Sequence, residues 1–186
     1  MIAAIIPSGV VGILLDDWMD AHLHNGIVVS VALIVYGVAF IAVERRNKGH
    51  APAIKNVYEI TYKTALLIGA FQCLSLIPGT SRSGSTILGA ILLGVSRSAG
   101  SEFSFFMAIP TMLGASAIKG LKFVLSGVGI TSMEIAVLIT GCVVSFIVSL
   151  FVIKALMDYV RRHSFSAFGI YRIVLGVIVL VYFLIF

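Results

Sequence analysis

Residues 64–95 read TALLIGAFQCLSLIPGTSRSGSTILGAILLGV. Two apolar runs flank a polar, glycine-punctuated centre, Ile77 to Thr86, which holds Arg82, three serines and two threonines. The stretch has about 32 residues, too few for two full membrane spans and a turn, since each span needs roughly 20. Whether it is a broken span or a hairpin depends on which side of a membrane its two ends lie.

The rest of the chain is that of a membrane protein. Of 186 residues, 60% are hydrophobic and only 11% charged, far from the balance of a soluble domain. An apolar segment from Ile2 to Leu15 ends at the acidic DDWMD; it lacks a basic leader and a small-residue cleavage site, and a short or truncated membrane helix is expected there. Ile27 to Val43 is a clean span closed by ERRNKGH, and residues 44–63 are polar and basic. Phe103 to Leu125, Glu134 to Ile153 and Tyr171 to Phe186 are three further spans. A second basic loop is expected after Ile153, with Lys154, Asp158, Arg161, Arg162 and His163.

The net charge of +5 is a topology signal here, not a nucleic-acid footprint. If both basic loops are cytoplasmic, the span from Phe103 leaves the cytoplasm and the next one returns. Residues 64–95 must then start and finish on the cytoplasmic side. The expectation is one all-α polytopic membrane domain, residues 1–186, with about five transmembrane helices and one re-entrant helix-loop-helix hairpin over 64–95. Irregular backbone at membrane depth needs protein or a water-filled cavity to satisfy it, so the tip, Pro78 to Gly84, should line a cavity.

The residue types at the tip suggest a ligand. Pro78 and Gly79 should end the first half-helix, and Ser83 or Ser85 should cap the second. A helix start pointing into a cavity favours an anion. Arg82 has a fork suited to phosphate and no acidic neighbour in sequence closer than Glu59 and Glu102. Thr80, Ser81, Ser83, Ser85 and Thr86 add hydroxyl donors, and Gly79 and Gly84 allow close approach or positive φ. Arg82 snorkelling from an ordinary loop is the plainer alternative. The run is not a Walker loop, lacking its lysine and spacing.

QCLSLIPGTSRSGSTI, then SEFSFFMAIPTMLGA, then FGIYRIVLG, in that order, resembles the undecaprenyl-diphosphate phosphatase family, the bacitracin-resistance proteins of bacterial inner membranes. The resemblance implies a multi-pass inner-membrane enzyme that hydrolyses undecaprenyl diphosphate to the monophosphate for peptidoglycan synthesis. It implies an inverted-repeat fold of which this chain is the second half, and a catalytic role for Arg82 with Ser81. Thr80, Ser83, Gly84 and Thr86 match the family's phosphate cradle, to which Ser85 is added on its hydroxyl. Glu102, Phe103, Ser104 and Pro110, and Tyr171 with Arg172, match the following helices; Glu102 and Arg172 are expected in support. A divalent cation, Mg or Ca, and a homodimer are implied by the family only, with no metal ligands identified in this chain. The family's N-terminal glutamate-rich motif and Ser/His block find no match here. The chain is therefore expected to correspond to the C-terminal two-thirds, with the nucleophile and acid/base outside it.

The other titratable groups carry blander expectations. His22, His24, His50 and His163 read as solvated loop histidines; Asp16, Asp17 and Asp20 as a solvated juxtamembrane run rather than a metal cluster. Cys73 and Cys142 lack metal spacing and read as small packing residues. Glu102 reads as an interfacial helix-cap carboxylate that can pair with Arg97 or reach Arg82. Two rivals to the phosphatase stand beside it: a carrier or flippase for a phosphorylated lipid or anion, and an inactive remnant.

Overall fold

The computed structural model describes residues 1–185, apart from the side chains of residues 16, 17, 20, 161 and 162. The chain is an all-α, polytopic membrane protein of seven α-helices among the described residues: α1 (Ile2–Leu23), α2 (Gly26–Asn47), α3 (Tyr62–Cys73), α4 (Arg82–Leu92), α5 (Arg97–Leu125), α6 (Ser132–Arg162) and α7 (Ser166–Ile185). Within α2, α5, α6 and α7 lie stretches long and apolar enough to cross a membrane. α3 and α4, with 12 and 11 residues, are about 18 and 17 Å long at 1.5 Å per residue, roughly half a hydrocarbon core.

Several boundaries differ from those expected. α1 does not stop at Leu15 but runs on through the acidic stretch to Leu23, so His22 lies in a helix, its Nδ1 2.9 Å from the Trp18 carbonyl oxygen and its ring stacked on the indole. The expected solvated run of Asp16, Asp17 and Asp20 falls outside the described side chains. α2 continues past Val43 to Asn47, and α6 continues past Ile153 to Arg162. The second basic "loop" is therefore the last turns of a helix. α7 starts at Ser166, before the expected Tyr171. Cys142 is exposed on α6 rather than packed as expected, while the half-buried Cys73 sits in α3.

Five helix termini gather at one end of the molecule. Residues 53–55 pair with 94–96: the N–H groups of Ala53 and Ile54 donate to the Gly94 carbonyl, and the Ser96 N–H donates to the Ile54 carbonyl at 2.8 Å. The loop that leads into α3 and the end of α4 are thereby tied together. At the same end Glu44 of α2, buried among its neighbours, forms an ion pair with Arg97 at the start of α5. Val160 at the end of α6 packs with Phe40 of α2 and with Ile87 and Ile91 of α4. Glu59 belongs to this loop as well: its carboxylate accepts from Asn56 Nδ2 and the Lys55 N–H, which hold it below the usual carboxylate range.

Two helix pairs frame the hairpin, and small residues set both. α7 lies antiparallel on α2, and a Cβ built on Gly37 would sit 2.7 Å from the Gly169 carbonyl oxygen, with Gly169 equally tight against Gly37. On the other side α1 meets α3 at Gly69, whose Cβ would lie 2.0 Å from the Ala4 carbonyl oxygen. Close backbone approach through small residues is how apolar helices associate when lipid is no worse a solvent than a neighbour. The buried core then runs from Ala4, Ala65 and Ile68 across Ala90 to Val95, Ala99, Phe103 and Met107.

Gly69→Ala should force α1 from α3 and cost about 1–3 kcal/mol. Gly141→Ala, where nothing lies within 4 Å, should leave stability unchanged or raise it by a few tenths to ~1 kcal/mol. Thermal unfolding of the two variants in detergent checks the contrast. For the Glu44–Arg97 pair, Arg97→Met alone should destabilise by about 2 kcal/mol, discounted because Arg97 is partly exposed, and Glu44→Gln added to it should restore most of the loss.

Candidate functional site

The tip between α3 and α4 is built by its own sequence. A short 3₁₀ turn, Leu74–Leu76, carries the chain out of α3, so the first helix ends before Pro78 rather than at it. Gly79 then takes φ +91°, a left-handed conformation that side chains resist, and a Cβ there would lie 2.5 Å from the Val29 carbonyl oxygen of α2. Thr80 Oγ1 donates toward the carbonyls of Ile77 (2.7 Å) and Leu74 (2.8 Å), closing the turn. Its hydroxyl is thus turned back on the backbone.

The cap of α4 is Ser81, not Ser83 or Ser85. Ser81 Oγ accepts the Gly84 N–H at 3.1 Å and lies 3.3 Å from Ser83 Oγ. Ser81 is the last residue before the chain turns helical, and only there does a hydroxyl reach the N–H three residues on. Among the described residues the backbone N–H groups of Arg82 and Ser83 find no acceptor, as expected of the first N–H groups of a helix.

A cavity of ≈ 180 Å³ opens beside this helix start. Ser81, Ser83 and Gly84 of the tip line it, and so do Ser101 of α5 and Tyr171 and Arg172 of α7. Arg172 Nη2 donates to the Gly79 carbonyl at 2.6 Å, and its guanidinium lies 5.9 Å from the centre of the Tyr36 ring, while its Nε is buried with no partner. Arg82 is half-buried at the first position of α4, with Nη1 buried and unpartnered; its side chain is not among those lining this cavity. Of the two arginines, only Arg172 lines the cavity.

The remaining expected residues divide. Thr86 is fully buried and ties α4 to α5: its Oγ1 lies 2.5 Å from Ser104 Oγ and bonds the Arg82 and Ser83 carbonyls. That hydroxyl is spent on packing. Ser85 is buried against a separate apolar pocket lined by Tyr36, Phe71 and Leu88, its Oγ without a partner. Glu102 sits more than a turn inside α5, whose cap is Ser96, so it is no cap carboxylate. Among the described residues it makes no ion pair, and Arg97 takes Glu44 instead. Ser101 and Glu44 were not singled out by the sequence; a serine beside a glutamate, and a glutamate opening a charge run, carry no signal until helix phase is known. Among the described residues no three of His, Cys, Asp and Glu converge, so the divalent cation implied by the resemblance has no ligand set there.

The family model for bacitracin resistance protein BacA matches residues 1–178. The chain belongs to this family. A protein named undecaprenyl-diphosphatase in Enterococcus faecalis is 58% identical over 177 residues, which are 95% of this chain and 63% of that protein. Undecaprenyl-diphosphatase 1 of Clostridioides difficile strain 630 is 58% identical over 183 residues, 98% of this chain and 65% of the relative. A Lactiplantibacillus plantarum undecaprenyl-diphosphatase is 56% identical over 183 residues. The chain spans just under two-thirds of the length of the first two relatives. In this BacA-family chain the tip, its serines and both arginines all lie within the matched residues.

The geometry at Gly79 gives a direct test. Gly79→Ala should cost about 2–4 kcal/mol, from the positive φ and the clash with the Val29 backbone together. Ser83→Ala, whose hydroxyl bonds only Ser81, should cost under ~1 kcal/mol in the same unfolding assay.

Proposed function

We propose that this chain forms the headgroup-binding part of a membrane phosphatase that hydrolyses undecaprenyl diphosphate to undecaprenyl phosphate and inorganic phosphate in the bacterial inner membrane, and so supports bacitracin resistance. The observation that carries the reading is a guanidinium nitrogen without a partner on the first residue of a capped helix: Arg82 Nη1 is buried and unbonded, and Ser81 caps α4 through the Gly84 N–H. Positive charge and fixed N–H donors in a water-poor site favour the spread negative charge of a phosphoryl group in transfer. The names of the relatives and the family match agree with that substrate.

In this reading α3 and α4 form a re-entrant hairpin. Their joined ends lie with the ends of α2 and α6, and two helices of half-bilayer length put the tip near the midplane. A phosphate arriving on a lipid carrier reaches that depth along the apolar faces of the bundle. Arg82 with Ser81 holds the headgroup, and Ser83 and Gly84 let it approach the α4 start. No His, Asp or Glu contacts the tip hydroxyls among the described residues, so Ser81 binds and orients rather than attacks. That same lack favours a second reading, lipid-phosphate binding or transport without hydrolysis by this chain.

Phosphate release from undecaprenyl diphosphate in detergent micelles separates the two readings. Arg82→Ala should reduce it at least 100-fold and Arg82→Lys roughly 10-fold, since a point charge replaces the fork. Binding of the lipid without any release, in wild type and variants alike, would favour the carrier. The hairpin has its own test: single cysteines at Lys48 and His163 should be labelled from one side of the membrane and one at Gly127 from the other. Lys48 and Gly127 labelled from the same side would remove the re-entrant arrangement.

A further inference from the structure

The segment that joins α2 to α3 is held in one conformation and turns its cations outward. Residues 45–63 carry five of them, Arg45, Arg46, Lys48, Lys55 and Lys63, against one carboxylate, Glu59. Glu44, just ahead of the run, is taken by Arg97. Ile54, Val57 and Ile60 anchor the segment, packing against the buried core that includes Ala65, Val95 and Ala99. A capping box of Asn56 and Glu59 closes the turn between them, with the Glu59 carboxylate facing back to the N–H groups of Lys55 and Asn56. Left facing outward are Lys55, Tyr58, Tyr62 and Lys63, with Tyr58 95% and Tyr62 82% exposed.

Two tyrosine rings held out on an anchored backbone, with lysines before and after them, need a partner that suits both. The edge of a bilayer is such a partner: rings with a polar tip favour the headgroup layer, and ammonium groups favour anionic headgroups. α3 continues the pattern toward its apolar end. Ala65, Ile68 and Gly69 form its buried face, whereas Leu66 and Leu67, one turn beyond Tyr62 and Lys63, are 42% and 41% exposed. An apolar stripe topped by a tyrosine and a lysine follows the order of a phospholipid, from acyl chain through the glycerol region to phosphate. A soluble acidic protein would satisfy the lysines and leave the leucines unmet.

We propose that Lys55, Tyr58, Tyr62 and Lys63 form a binding surface for an anionic phospholipid of the surrounding bilayer, its phosphodiester at the lysines and its acyl chains along Leu66 and Leu67. None of these residues lines the cavity at the tip, so the surface is separate from the candidate site. It adjoins that site through one helix only. Lipid bound here fixes the start of α3 at the bilayer edge, and the other end of α3 leads through Leu74–Leu76 into the tip.

Native mass spectrometry of the purified chain in detergent, titrated with dioleoyl phosphatidylglycerol and separately with dioleoyl phosphatidylcholine, tests the surface. Phosphatidylglycerol should bind the wild type at least about 5-fold more tightly. Lys55→Gln combined with Lys63→Gln should weaken phosphatidylglycerol about 10- to 30-fold and leave phosphatidylcholine within about 2-fold, whereas arginine at both positions should keep most of the affinity. Tyr58→Ser combined with Tyr62→Ser should weaken both lipids by about 3-fold or more. All four side chains are exposed, so these variants should unfold at the wild-type temperature in detergent. Lys119→Gln with Lys122→Gln, in the far part of α5, is the control and should change phosphatidylglycerol affinity by less than about 3-fold. An equal loss in that control would overturn the assignment, since the attraction would then be undirected charge. Equal affinity of the wild type for the two lipids, or phosphatidylglycerol binding untouched by the Lys55 and Lys63 substitutions, would overturn it too and leave the segment to an acidic protein partner.

Discussion

A peptide turn lodged between apolar helices leaves carbonyls that no helix can satisfy, and the arrangement around the tip follows from how they are met. Thr80 turns its hydroxyl inward to the carbonyls of Leu74 and Ile77. The Gly79 carbonyl is met by Arg172 from α7, 93 residues further on. Any group able to reach that carbonyl must come from a neighbouring helix, and a neutral donor would have served the bond alone. An arginine supplies a cation with further donors, which sets a positive charge at the tip whether or not a ligand is present. In the proposed function, satisfying the backbone and preparing an anion site are one interaction.

That interaction depends in turn on the α2–α7 pair. Gly37 and Gly169 let the two backbones approach at a distance no larger residue permits, and the Val29 backbone and the Tyr36 ring of α2 then face the tip together with Arg172. Widening the pair would draw Arg172 from Gly79 and Val29 from the turn at once. Stability of the frame and geometry of the site are thus coupled, as expected where polar backbone sits at depth and must be over-determined by its surroundings.

How far the sequence revealed this can be judged residue by residue. Length and charge parity implied that residues 64–95 return to the side they start from, which stays a proposal; the structure ties residues 53–55, ahead of α3, to 94–96 at the end of α4. Local chemistry was legible too: Gly79 for a positive φ, serine at the start of α4, glycines where backbone is approached. The cap itself was misplaced by two residues or more, because several serines in a row compete and only the exact start of the helix chooses Ser81. Helix ends at charge runs were misread for a physical reason: Asp and Arg are ordinary helix formers once outside hydrocarbon, so α1, α2 and α6 continue where hydropathy falls. Ser101 and the Gly79–Arg172 bond were beyond reach of any local pattern. A buried unpaired hydroxyl and a contact across 93 residues exist only after packing.

The placement of the two arginines bears on why a site this apolar tolerates them. Arg82 and Arg172 make no ion pair among the described residues, although an arginine withdrawn from water is costly. Each is only partly withdrawn, and each spends part of its guanidinium differently: Arg172 on a carbonyl and an aromatic face, Arg82 on neither. A carboxylate brought to either one would lower that cost and also neutralise the charge a phosphate requires. Carbonyl and ring partners compensate the cation without cancelling it, so the attraction for an anion survives. Glu44 shows the contrast within the same chain, where Arg97 is neutralised by a buried carboxylate and serves only to join α2 to α5. Arg97, which only joins helices, and Arg172, which the proposed function directs at a ligand, therefore differ in the charge of their partners, a carboxylate for one and a carbonyl and a ring for the other.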